Sequence, residues 1–184
     1  MMYAEMGNLE TAMEIAARGG TLECTALLVQ LLLQYDRVDL ANKYLQQMSQ
    51  IDDDSSLTQV ATAWVNLAVG GDKYQDAFYI YNELAAKYSP SIMLLTGQAA
   101  CLIHQHKYGE AEDLLQDALN KDSNNAEVLV CMITVAQQTE KSDEVSSRYI
   151  SQLQDSAPSH PFVKYHAAKG EQFDRVSAQY SVSA

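Results

Sequence analysis

His104 and His106 form a pattern that could bind a metal, two imidazoles within three residues. On a helix, residues two apart face different ways, and the sequence places no third ligand beside them. The run "DDDSS" (52–56) could offer carboxylates to a cation. It stands just before a helical pattern, where such residues cap free backbone N–H groups and meet the positive end of the helix dipole. Cys101 and Cys131 could be nucleophiles, but both sit in apolar segments with no evident base or cation beside them. With Cys24 they are odd in number, scattered and without a CxxC pair, so they read as free thiols of a reducing, cytosolic compartment. No GxSxG, phosphate-binding loop or glycine-rich dinucleotide fingerprint occurs. The chemistry-bearing residues thus predict no catalysis, no metal and no cofactor.

What the residues do predict is architecture. A small residue after a polar turn recurs at Ala12, Ala41, Ala77, Ala111 and, as valine, Val145, giving intervals of 29, 36, 34 and 34 residues. Core residues are expected four positions on, at Leu45, Tyr81, Leu115 and Tyr149, with Ile15 at plus three in the first unit. Val29, Val65, Ala99 and Ile133 lie twelve residues before the later four anchors, and Leu32, Ala68, Leu102 and Ala136 nine before. A period near 34 with two helices per period is the tetratricopeptide signature. The unit from Leu95 to Asn125 fits best, departing where Ser123 stands in place of the usual proline.

The predicted fold is therefore all-α, a tetratricopeptide-like helical-repeat solenoid. First helices are expected at about 21–34, 55–69, 90–104 and 124–138, and second helices at about 37–50, 73–87, 107–121 and 141–155. Ser89-Pro90 reads as a cap followed by a first-turn proline, and Asn124 with Glu127 as a capping box. Residues 9–18 resemble the second helix of a truncated pair, so the chain is expected to begin in mid-array. The repeats are expected over 1–158 and a C-terminal capping helix and tail over 159–184, with Phe162, Phe173, Val176 and Tyr180 covering the last pair.

Charge is unevenly placed. The net charge of −12 argues against nucleic acid and against direct binding to an anionic membrane. No apolar run reaches the roughly 18 residues of a membrane span, and "MMYAEMGNLE" shows no signal-peptide pattern. The expected first helices hold no Lys or Arg and only Glu23 and Glu127, whereas the second helices carry 18 charged side chains. First helices line the groove of such an array. Repeat register assigns the groove to Ala26, Gln30 and Leu33; Thr62, Asn66 and Val69; Thr96, Ala100 and Ile103; Val130, Thr134 and Gln137. A carboxylate or phosphate ligand needs Lys or Arg forks, which are absent. An apolar or extended segment suits the surface, with Gln30 and Asn66 bonding its backbone. Trp64 falls between helices in this register, as a core residue.

Three stretches point to something narrower: "TLECTALLVQLLLQYDRVDLA" (21–41), "SLTQVATAWVNLAVGGDKYQDAFYIYNELAAKYSPSIMLLTGQAACL" (56–102) and "SHPFVKYHAAKGEQFDRVSAQYSVSA" (159–184). The chain resembles the epsilon-subunit family of coatomer over essentially its whole length, as that family's C-terminal portion. The resemblance implies a non-catalytic structural subunit of the COPI vesicle coat, serving Golgi-to-ER and intra-Golgi transport. It implies a partner, the alpha-coatomer C-terminal domain, held as a heterodimer within the coat while the repeats curl around a protruding segment. It implies a cytoplasmic protein, peripheral on Golgi and COPI vesicle membranes and touching them only through the coat. The alternative is a generic repeat adaptor binding an apolar or extended peptide.

Overall fold

A computed structural model describes residues 9–139 and 141–180. Among them are ten helices and no strand: α1 (Leu9–Gly19), α2 (Leu22–Gln34), α3 (Val38–Asp52), α4 (Ser56–Val69), α5 (Lys73–Tyr88), α6 (Ile92–His104), α7 (Tyr108–Lys121), α8 (Ala126–Gln138), α9 (Asp143–Ser156) and α10 (Pro161–Tyr180). Two compact units divide the chain between His106 and Lys107.

In the first unit, α1 packs on α2, and each later helix packs on the one before it; α2 also packs on α4. The second helices bury one narrow stripe. Ala41, Leu45 and Met48 of α3 recur as Ala77, Tyr81 and Leu84 of α5. Positions i, i+4 and i+7 fall on one side of a helix, and the other sides stay polar. Helices α2 and α4 are apolar on two sides because they are covered on two sides, α2 by α1, α3 and α4, and α4 by α2, α3 and α5. α2 buries Ala26, Leu28, Val29, Leu31 and Leu32, and α6 buries Leu94, Leu95, Ala99, Cys101 and Leu102.

The repeat anchors Ala41, Ala77 and Ala111 are fully buried, and Ala12 nearly so, while Val145 is half-buried. Two expected core residues are not in the core. Ile15 is 50% exposed, and Ala16, four residues after Ala12, is the buried one. The plus-four rule therefore holds in the first unit too. Ala68 is exposed.

The helix starts differ from expectation by up to two residues. Ser91, not Ser89, caps α6, its hydroxyl accepting from Leu94 N–H at 3.3 Å, while Ser89 ends α5 with φ of 72°. Asn125, not Asn124, caps α8, accepting from Val128 N–H at 3.3 Å. Asp52 belongs to the end of α3 and Asp53 follows it, so Ser55 caps α4, accepting from Leu57 N–H.

In the second unit α7, α8 and α9 pack in sequence, and α7 buries Ala111, Leu115 and Ala118 in the same stripe. Helix α10 meets this unit only at its start. Phe162 and Val163 pack on Leu129, Ile133 and Leu153. His160 Nδ1 accepts from Phe162 N–H at 3.3 Å, which leaves Nε2 to donate to Glu127 at 3.2 Å. The expected cover over the last pair is thus supplied by Phe162 alone. Phe173, Val176 and Tyr180 are 72%, 47% and 79% exposed. They lie beyond the reach of α9, which contacts only the first part of α10.

Helices α5 and α6 approach closely at Gly97. A Cβ at Gly97 would lie 2.7 Å from the Tyr81 ring, and Tyr81 is only 3% exposed. Alanine is intrinsically favoured over glycine in a helix by about 1 kcal/mol. Overpacking a closed core costs about 1–3 kcal/mol, and a ring enclosed on all sides cannot retreat. Gly97→Ala is expected to lower the urea midpoint despite its better helix propensity.

Cys101 is fully buried in the same cluster, and burial pushes its thiol up to about 12. Burial also pushes the Tyr81 phenol up. An ordinary thiol ionises near 9.0, so as pH rises the unfolded chain sheds this proton before the folded one. The contribution of Cys101 to stability is therefore full below about pH 9 and is lost between about 9 and about 12. Urea unfolding across that range should show the fall, and Cys101→Ala should lessen it, with Tyr81 and Cys131 supplying the remainder.

Candidate partner-binding surface

The candidate surface is built on the first helices. Short polar caps set their starts: Thr21 accepts from Cys24 N–H at 3.3 Å, and Ser55, Ser91 and Asn125 cap α4, α6 and α8. Their ends turn sharply. Asp36 adopts φ of 57°, the left-handed conformation that reverses the chain into α3, and His106 after α6 has a φ of 60°. Between cap and turn, each helix presents positions spaced by four and three residues as one stripe.

The twelve expected contact residues fall into distinct settings. Ala26 is only 3% exposed and belongs to the core of the first unit, so it offers no surface. Gln30 is exposed and Leu33 half-buried against the same core. On α4, Thr62 and Asn66 are half-buried and Val69 is 52% exposed. On α6, Thr96, Ala100 and Ile103 are half-buried. In the second unit, Val130 and Thr134 of α8 are half-buried, Val130 packing against that unit's core. Gln137 is exposed.

The threonines share a feature that the repeat register does not reveal. Thr62 donates to Thr58 C=O at 2.8 Å, Thr96 to Ile92 C=O at 2.8 Å and Thr134 to Val130 C=O at 3.0 Å. Each spends its hydroxyl proton on its own helix, four residues back. What remains for a partner is a methyl group and oxygen lone pairs. A mid-helix threonine is itself the signal for such a bond, and sequence reading that counts only polarity passes over it.

Charge stays off these stripes. Helices α4 and α6 contain no Asp, Glu, Lys or Arg. Glu23 lies in the first turn of α2, where backbone and Thr21 hydrogen bonds hold its carboxyl below the usual range. Glu127, in the first turn of α8, is engaged by His160. His104 stacks on Tyr74 with ring centroids 4.7 Å apart and planes 7° apart. Burial pushes the Cys131 thiol up to about 11, helped by Glu127. A thiol held protonated in this way is a poor nucleophile. Among the described residues no three His, Cys, Asp or Glu side chains gather where they could hold a metal. Trp64 is half-buried between the two core clusters of the first unit, and one side of it lines a cleft.

The fold is shared with repeat proteins of unrelated sequence. A tetratricopeptide repeat protein from Parabacteroides merdae superposes with a TM-score of 0.76 at 14% identity, covering 89% of this chain and 64% of that one. A chain of the APC/C hetero-tetramer Cut9–Hcn1 superposes with a TM-score of 0.70 at 18% identity, covering 88% of this chain and 33% of that one. In sequence, the Arabidopsis thaliana coatomer subunit epsilon-1 is 42% identical over 163 residues, covering 89% of this chain and 55% of the relative. The Caenorhabditis elegans coatomer subunit epsilon is 38% identical over 169 residues, covering 92% of this chain and 58% of the relative. The chain thus spans a little over half the length of these relatives. The sequence model of the coatomer epsilon subunit matches residues 1–181. A match of that extent, with identity of this order to both a plant and an animal relative, shows that the chain belongs to the coatomer epsilon subunit family.

Proposed function

We propose that the chain acts as a non-catalytic structural subunit of the COPI vesicle coat, and that its first helices grip a segment of the alpha-coatomer C-terminal domain. In this role it serves Golgi-to-ER and intra-Golgi transport. It stays in the cytoplasm and meets Golgi and vesicle membranes only through the coat. No described helix is long and apolar enough to cross a membrane.

The observation that carries the reading is the absence of charge from α4 and α6, whose expected contact residues Thr62, Asn66, Val69, Thr96, Ala100 and Ile103 are half-buried or exposed, as are Gln30 and Leu33 of α2. A partner segment laid there loses water from carbon, methyl and amide surface without stranding a charge, which would cost several kcal/mol per ion. Gln30 and Asn66 can each donate and accept, enough to pair with an extended backbone. Val130 and Thr134 offer the same chemistry on the second unit.

Placing an arginine on the stripe strands a charge against the partner. Gln30→Arg, Asn66→Arg and Ala100→Arg are each expected to weaken the complex about thirtyfold or more, the loss that a central contact worth about 2 kcal/mol produces. Gln30 is exposed, so its variant tests the surface without a burden on folding. Co-purification with the alpha-coatomer C-terminal domain, read by light scattering, is expected to give a one-to-one complex with the unsubstituted chain. Circular dichroism should show each variant as helical as the parent. A complex that survives all three substitutions would place the contact elsewhere.

A further inference from the structure

Helices α4, α5 and α6 leave a cleft of about 270 Å³ where the starts of α4 and α6 meet the end of α5. Its wall is carbon: Leu57, Val60 and Trp64 on one side, Leu84 and Tyr88 on the second, Met93 on the third. An apolar cavity of roughly 150 Å³ holds a benzene ring, so this one has room for an aromatic or a branched aliphatic side chain. At its rim Tyr88 and Met93 are 56% and 53% exposed. Leaving such a hollow wet forgoes the burial of large apolar side chains.

The surroundings are charged on one side of the balance. Asp52, Asp53 and Asp54, all exposed, lead directly into the lining residue Ser56. On the last two turns of α5 the charged residues are Glu83 and Lys87. Lys87 rests over the Tyr88 ring, 5.2 Å from its centroid. Close in sequence to the lining residues of an uncharged hollow there are therefore four carboxylates and one ammonium, a balance that draws cations.

We infer that this cleft docks a partner segment that inserts one aromatic or branched apolar side chain between Trp64 and Met93 and holds Lys or Arg beside it. None of the twelve first-helix contact residues lines the cleft. The site is separate from the surface assigned to the alpha-coatomer partner and does not depend on that assignment. Carbon burial supplies the affinity, and the aspartates select the basic flank.

Trp64 is the chain's single tryptophan and lines the cleft, so its emission reads occupancy directly. Two capped heptapeptides free of Trp and Tyr serve as probes, one with phenylalanine flanked by lysines and one with the lysines replaced by glutamates. Titrated into the full chain, the lysine peptide should shift Trp64 emission saturably. Its glutamate twin should bind about tenfold more weakly, with the gap narrowing as salt is raised. Met93→Arg, at an exposed rim position, should weaken the lysine peptide about tenfold. Asp53→Asn combined with Asp54→Asn should reduce the preference for lysine severalfold. The inference is overturned if neither peptide changes Trp64 emission, if both bind equally, or if Met93→Arg binds like the parent. It is also overturned if emission and molecular mass rise together with protein concentration alone, which would give the cleft to a second copy of the chain.

Discussion

The structure rests on close contact at one small residue per helix pair. Ala41, Ala77 and Ala111 each have no exposed surface. Interhelical distance depends on the side chains at the point of crossing. An alanine there lets the second helix sit close enough for residues four and seven positions on to reach the core. Leu45 and Met48, Tyr81 and Leu84, and Leu115 and Ala118 follow in turn. The Gly97–Tyr81 contact belongs to the same economy of space. A bulky Tyr81 in one helix is matched by the absence of a side chain in the next.

Close stacking dictates where charge can go. First helices are covered on two sides, so an ionised group there would have to leave water without a partner, at a cost of several kcal/mol. The charge moves to the second helices, which expose most of their surface. The lack of charge at the half-buried Thr62, Asn66, Thr96 and Ala100 is thus first a consequence of packing. The proposed use as a binding surface exploits a constraint already present. The threonine back-bonds extend this by engaging hydroxyl donors within their own helices, which leaves the amides of Gln30 and Asn66 as side-chain donors.

Sequence patterns were most legible where one residue type has one role. The recurring alanine, the partner four positions on and the charge-poor first helices could be read from spacing alone. Legibility failed where neighbouring residues were chemically equivalent. Ser89 and Ser91, or Asn124 and Asn125, can each cap a helix, and only the path of the incoming chain decides which one does. It failed again in α10, whose apolar residues recur at helical spacing along its length. That spacing predicts a buried face, yet burial needs an opposing surface, and α9 reaches only the start of α10.

The sequence by itself determined the all-helical repeat, its period and the separation of charged from uncharged helices. All three follow from local periodicity and from the cost of burying charge. Its resemblance to the coatomer epsilon family likewise needed no coordinates. The tertiary structure alone decided that Ala26 is core rather than surface, that Phe162 closes the last pair while Phe173 does not, and that Trp64 borders an open cleft. Each of these depends on the distance between residues far apart in the chain. Helical register states which way a residue points; it does not state whether another helix is there to meet it.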